Sequence, residues 1–217
     1  MNILAVDTAL GACSVAVLSG DRILAHRFEL MDRGHAERLA PMVEEAMREA
    51  GISFSTLDRL TVTTGPGTFT GQRVGLAFMR GLRVALKKPL AGVTTLEAMC
   101  AAAMAETKTQ SAAALHDAKR GEVYFALVAS GNVLIEPSIA VLDEAVAAIK
   151  TRCPKTLLAL CGTAAEAAAL RFGGDAKMTA IRFPDALWVA RLAQRRPEPQ
   201  EVPKPLYLRA PDAKLPA

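Results

Sequence analysis

Two aspartates end apolar runs at matching turns: Asp7 before Thr8-Ala9-Leu10-Gly11, and Asp117 before Ala118-Lys119-Arg120-Gly121. A carboxylate at the end of a strand in an open α/β sheet, where ligands usually bind, can hold Mg²⁺ or face a phosphate. In the same place it can also close an Asx-turn, accepting a hydrogen bond from an amide of its own hairpin. Both roles stay open for both residues. The turn after Asp7 and Thr8 lacks an early glycine to admit a phosphate closely, so ATP or ADP binding there is expected to be weak, and no cofactor is expected on the chain.

A third stretch, Thr63-Thr64-Gly65-Pro66-Gly67-Thr68-Phe69-Thr70-Gly71-Gln72-Arg73, lies between a strand-like and a helix-like segment. Gly65 and Gly67 around Pro66 specify a tight turn, and free amides at the following helix start, with Arg73 nearby, would suit an anion. It is neither a P-loop, having no G-K-[ST], nor G-x-G-x-x-G, its glycines being one residue too far apart. The alternative is that the glycines let the helix entry pack closely on a neighbour, leaving at most a vestigial anion site.

Other chemistries find little support. Three histidines, His26, His35 and His116, show no metal-binding spacing, so no metal site is expected. No G-x-S-x-G marks a hydrolase nucleophile. The four cysteines contain no C-x-x-C and sit in apolar runs, as buried free thiols of a reducing compartment would. A net charge of +4, with Lys and Arg dispersed, allows a nucleic-acid partner without requiring one. No uncharged apolar run reaches the roughly 18 residues of a membrane span, and the N-terminus does not read as an export signal. A cytoplasmic protein without a membrane partner is expected.

The elements that must position these residues follow from periodicity. Asn2 to Val6, Cys13 to Leu18 and Arg22 to Leu30 read as a strand meander. His35 to Ala50 reads as an amphipathic helix closed by Gly51, with Pro41 a source of a kink. A strand over Leu57 to Thr64 leads into the glycine-rich turn. The helix from Gly71 to Lys87 has only a narrow polar stripe of Arg80, Arg83 and Lys87; Val74, Ala77, Phe78, Met79, Leu82, Val84, Ala85 and Leu86 cover the rest. That exceeds what one sheet-facing side needs, so a second apolar neighbour is expected, in the same domain or in another protein. Strand Leu90 to Val93 and helix Thr95 to Ala105 complete the half.

After a linker-like run, Glu106 to Ser111, the pattern of strand, Asp and following Gly recurs at an offset of 110 residues, Asp7 to Asp117. Two duplicated lobes are expected, 1–105 and 106–217. The second continues with strand Glu122 to Val128, a hairpin arm near Asn132 to Ile135, helix Leu142 to Ile149, strand Thr156 to Leu160, helix Thr163 to Arg171, a weak strand Met178 to Ile181 and helix Ala186 to Gln194. The tail from Arg196, rich in proline, is expected to be extended yet docked through Leu206, Tyr207 and Leu208.

The stretches Ile3-Leu4-Ala5-Val6-Asp7-Thr8-Ala9, His35-Ala36-Glu37-Arg38-Leu39, Gly65-Pro66-Gly67-Thr68-Phe69-Thr70-Gly71-Gln72-Arg73-Val74-Gly75, Asp117-Ala118-Lys119-Arg120-Gly121-Glu122-Val123-Tyr124 and Pro205-Leu206-Tyr207-Leu208-Arg209 resemble the bacterial TsaB (YeaZ) family over nearly the whole chain. Thr68 and Gln72 depart modestly, standing where serine and an apolar residue are usual. The resemblance implies an actin-like, Hsp70-like ATPase fold of two related lobes, the second reduced. It implies a non-catalytic scaffold in making N6-threonylcarbamoyladenosine at position 37 of tRNAs reading codons that begin with A. The paralogue TsaD performs the transfer from threonylcarbamoyl-adenylate. TsaD's metal-binding H-x-x-x-H is missing here, so the catalytic step does not carry over. The partners implied are TsaD, with TsaE and tRNA joining through the complex, and a homodimer when TsaD is absent. The contact implied is a bundle of the two first-lobe helices, with Leu39, Val43, Met47, Val74, Phe78, Met79 and Leu82 as interface residues. A nucleotide-binding ATPase or small-molecule kinase of the same superfamily is the alternative.

Overall fold

The computed structural model describes residues 1–153 and 157–209, without the side chain of Asp175. The first three apolar runs form the expected meander, β1 (Asn2–Asp7), β2 (Ala12–Ser19) and β3 (Arg22–Leu30), paired antiparallel. Helix α1 (His35–Ala50) then crosses to β4 (Arg59–Thr63), and α2 (Phe69–Leu86) to β5 (Leu90–Val93), both parallel additions. The sheet order is β3-β2-β1-β4-β5. Gly51 ends α1 in the left-handed conformation, and α1 runs through Pro41, which lies exposed. Helix α3 (Thr95–Thr107) closes the half.

The second half repeats the same order of elements. Strands β6 (Ser111–Asp117), β7 (Glu122–Ala129) and β8 (Asn132–Val141) form the meander, followed by α4 (Leu142–Arg152), β9 (Leu158–Cys161), α5 (Ala165–Phe172), β10 (Ala176–Met178) and α6 (Ala186–Gln194). The sheet order β10-β9-β6-β7-β8 is the first arrangement read from its other edge. The two lobes are therefore related, and the second is reduced: α5 has 8 residues where α2 has 18. Of the expected strand Thr156 to Leu160, Thr156 lies outside the described residues, as does the tail beyond Arg209.

β1 and β6 are buried on both sides, and the period-2 alternation of a strand divides their side chains between two cores. Leu4 and Val6 meet Leu39, Met42 and Met79 under α1 and α2, while Ile3 and Ala5 meet Ala186, Val189 and Ala190 of α6. In the second lobe Ala113 and Leu115 face α4 and α5, while Ala112 and Ala114 meet Met99 and Cys100 of α3. Each half thus lends its last helix to the other's sheet. The run Glu106 to Ser111, expected as a linker, holds the end of α3, the short turn 108–110 and the first residue of β6. Buried Arg59 of β4 ties the arrangement by donating to the carbonyls of Ala193 (2.5 Å) and Arg196 (2.9 Å) at the C-terminal end of α6. Cys13, Cys100 and Cys161 are buried free thiols; Cys153 is partly exposed.

Candidate functional site

A cleft of about 950 Å³ separates the lobes, lined on one side by Leu10, Gly67, Thr68 and Gly71 and on the other by His116, Asp117, Lys119 and Arg182. The duplicated turns that flank it have diverged. Asp117 is half-exposed; its Oδ1 accepts from the Lys119 amide at 2.8 Å and its Oδ2 from Lys119 Nζ at 3.2 Å. Those contacts hold its carboxyl below its ordinary pKa, the backbone bond contributing most. Asp7 makes the same turn, accepting from the Ala9 amide at 3.2 Å, and takes a second bond from Thr63 Oγ1 at 2.5 Å. It is fully buried, however, and does not line the cleft. Burial pushes its pKa up to about 7, against the opposing effect of the Thr63 and Ala9 bonds.

What seals Asp7 is the glycine-rich stretch. A Cβ on Gly67 would stand 2.3 Å from the Ala9 carbonyl oxygen, one on Gly71 2.2 Å from that of Thr8, and one on Gly75 2.7 Å from Thr8 Oγ1. Glycine alone allows α2 to lie directly on the β1–β2 turn. Bonds then join the two: Thr68 N–H donates to the Ala9 carbonyl at 2.8 Å, and Thr8 Oγ1 to the Gly71 carbonyl at 2.7 Å. Thr68 caps α2 by accepting from the Gly71 amide at 3.0 Å. The helix start, expected at Gly71, therefore falls at Phe69.

Of the amides expected to face an anion at this turn, those of Thr68 and Gly71 are spent internally, on the Ala9 carbonyl and on Thr68 Oγ1. Gly65, at φ +107, accepts at its carbonyl from the Thr95 amide at 2.8 Å, and a Cβ there would strike Gln72. Arg73 is held between the first residue of α2 and the tail: its guanidinium lies 3.5 Å over the Phe69 ring and its Nε donates to Tyr207 Oη at 2.8 Å. Thus Thr8, Gly65, Gly67 and Asp7 are brought together around one turn, with Arg73 facing the tail and Asp117 across the cleft. The histidines are dispersed: His26 Nε2 bonds Asp185 at 2.8 Å, His35 Nε2 bonds the Leu10 carbonyl at 3.0 Å, and His116 is buried in the cleft wall. Desolvation lowers the pKa of His116 to about 4, so it is neutral at physiological pH.

The tail is docked along this region. Leu206 N–H donates to the Thr64 carbonyl at 2.7 Å and Arg80 to the Pro203 carbonyl at 2.6 Å. Arg209 then reaches the second lobe, donating to the Ala118 carbonyl at 2.9 Å and pairing with Glu122. Each of these bonds spans 87 residues or more, and no local sequence pattern signals them.

The outer surface of α1 and α2 is a second candidate. Leu39, Val43, Met47 and Met79, expected at an interface, are at most 4% exposed and lie in the first lobe's own core, a correction that follows from the sheet claiming that stripe of each helix. Val74, Phe78 and Leu82 are partly buried at its margin. The opposite side of α2 carries Thr70, Ala77, Gly81, Val84 and Ala85, all exposed, Val84 at 71%; α1 adds exposed Ala36, Ala40 and Pro41. The signal for this face was present in the excess apolar circumference of α2, but periodicity alone does not say which stripe the sheet takes.

The family model for TsaD, tRNA N6-adenosine threonylcarbamoyltransferase, matches residues 27–160. The chain is similar to the tRNA threonylcarbamoyladenosine biosynthesis protein TsaB of Escherichia coli, 40% identical over 126 residues, which are 58% of this chain and 54% of that protein. It spans about half the length of the curated TsaB proteins of E. coli and Haemophilus influenzae that it matches. An uncharacterised Mycobacterium tuberculosis protein is 35% identical over 98% of this chain and 94% of its own length. Among solved structures, YeaZ from Pseudomonas aeruginosa superposes with a TM-score of 0.75 at 29% identity, covering 95% of this chain and 99% of that one. At 11% identity, the ethanolamine utilization protein EutJ of Carboxydothermus hydrogenoformans shares the fold alone, with a TM-score of 0.55 over 88% of this chain and 89% of its own. The duplicated lobes are thus the actin-like ATPase fold, and the chain belongs to the TsaB (YeaZ) family.

Proposed function

We propose that this chain is a non-catalytic partner in synthesis of N6-threonylcarbamoyladenosine on tRNA, presenting the outer face of α1 and α2 to TsaD in the cytoplasm. The observation that carries the reading is that outer face of α2, where Thr70, Ala77, Gly81, Val84 and Ala85 offer small and apolar side chains to solvent. Small residues let a second helix approach closely, and burying Val84 contributes about 1.5–3 kcal/mol. TsaE and tRNA join through the complex, and a second copy of this chain covers the same face when TsaD is absent.

The burial of Asp7 supports a scaffold over a kinase or ATPase, because of the two duplicated carboxylates it leaves only Asp117 at the cleft for Mg²⁺-ATP. ATP or ADP, if taken into the cleft, is held weakly. Val84→Asp and Ala77→Arg should each weaken co-elution with TsaD on a sizing column by at least tenfold in concentration. Because both positions are exposed, the thermal midpoint of the isolated chain should hardly change. Co-elution unchanged in both variants would refute the assigned face. Tested with TsaD, TsaE and threonylcarbamoyl-adenylate, the same variants should also depress tRNA modification.

A further inference from the structure

On the side of the first sheet away from α1 and α2, a second groove of about 880 Å³ runs between α3 and α6, from the β2–β3 turn at Asp21 to the β7–β8 turn at Gly131. Its floor is apolar, with Ala101, Met104, Val128 and Leu192. Its functional groups sit on the last turns of α6 and just beyond. The Arg191 guanidinium lies 4.6 Å over the Trp188 ring, and Arg195 and Arg196 follow. Arg196 is committed to the fold: it pairs with Glu97 and donates to the Gly92 carbonyl at 2.8 Å. That pairing neutralises one of the two carboxylates lining the groove, leaving Asp21 against Arg191 and Arg195. Among the described residues neither of those arginines has a carboxylate partner.

We propose that this groove binds nucleotide units, the base stacking on the Arg191–Trp188 pair and the phosphate lying between Arg191 and Arg195. A planar guanidinium over an indole gives a π surface that accepts any base, and two unneutralised arginines beside it match a phosphodiester. The groove is bordered by both lobes, from Asp21 to Gly131, a length that suits a single strand of RNA better than a free mononucleotide. Because α6 and α1/α2 cover opposite faces of the sheet, a protein docked on the helical face leaves this groove open. The assignment is independent of the proposed pairing with TsaD.

Trp188 is the only tryptophan, so its fluorescence reports this groove alone. Titration of the intact chain with a short oligoadenylate at low salt should quench it saturably. The logarithm of affinity should fall with the logarithm of salt concentration at a slope of about −0.7, the value for one phosphate neutralised on a single strand. Arg191→Ala and Arg195→Ala should each weaken binding about tenfold with the thermal midpoint unchanged, and Arg195→Lys should retain most of it. In the AMP arm, weaker binding than the oligomer fits a strand site, and equal binding assigns the groove to free nucleotides. The proposal is overturned by no saturable quench with either probe, by affinity that ignores salt, or by full affinity in both alanine variants.

Discussion

Asp7 and Asp117 began as equivalent residues of a duplicated unit and now sit in opposite dielectric surroundings. Their turns are the same: each carboxylate accepts from the amide two residues on. Packing separates them, since the glycines of α2 close over the first turn and nothing comparable closes over the second. The buried Asp7 Oδ2 has no partner among the described residues, so ionising Asp7 in the folded state costs solvation that the Thr63 bond only partly restores. With a folded pKa near 7 against 3.8 in the unfolded chain, the protonated acid is favoured by folding. Its contribution to stability is complete below about pH 4 and is lost as pH rises to about 7. Asp7→Asn does not titrate, so its stability relative to the parent should improve by about 2–4 kcal/mol between pH 4 and pH 8 in paired urea titrations. A gap that stays constant with pH would show that Asp7 is ionised throughout. The sequence could place both aspartates at strand ends but could not foresee this divergence, because burial depends on a loop sixty residues away.

At the scale of elements, most boundaries were legible where a periodic run met a clear stop. β3, α1, β5 and α6 begin and end where periodicity places them. β8 did not: the reading stopped at Ile135, before Glu136-Pro137, whereas the strand continues to Val141. An edge strand tolerates a proline that a central one would not, and the register indeed shifts beside it, between Phe125 and Leu127 of the partner strand. The tail is the element whose role was least legible, although its docking was expected. Its contacts make it a strap from α2 across to the second hairpin, with Tyr207 stacked 5.6 Å from Phe69 and Arg209 paired to Glu122. Arg209→Ala should therefore raise amide exchange in the 117–122 hairpin several-fold while leaving exchange in the first sheet unaltered. Exchanging the charges, Arg209→Glu with Glu122→Arg, should restore part of the protection. Equal exchange in parent and Arg209→Ala would mean that the hairpin holds its shape without the strap.

For the molecule as a whole, the internal repeat was readable from an Asp and a Gly at one offset, and the structure extends it to every strand and helix of the two lobes. The exchange of last helices was not readable, since the amino-acid pattern of α3 and α6 says that they are buried without saying against which sheet. A fragment of residues 1–105 would leave Ile3, Ala5, Ala16 and Leu18 bare, with α3 deprived of the sheet it covers. Such a fragment should show no cooperative thermal transition, and a sharp calorimetric peak from it would contradict the interlocked arrangement. The same exchange sets a timetable for synthesis. The first sheet emerges from the ribosome well before α6, which completes its second face and follows every strand of the second sheet. Until α6 is made the nascent chain therefore carries an exposed apolar sheet face, the kind of surface that chaperones recognise. The first lobe made is not the first lobe finished.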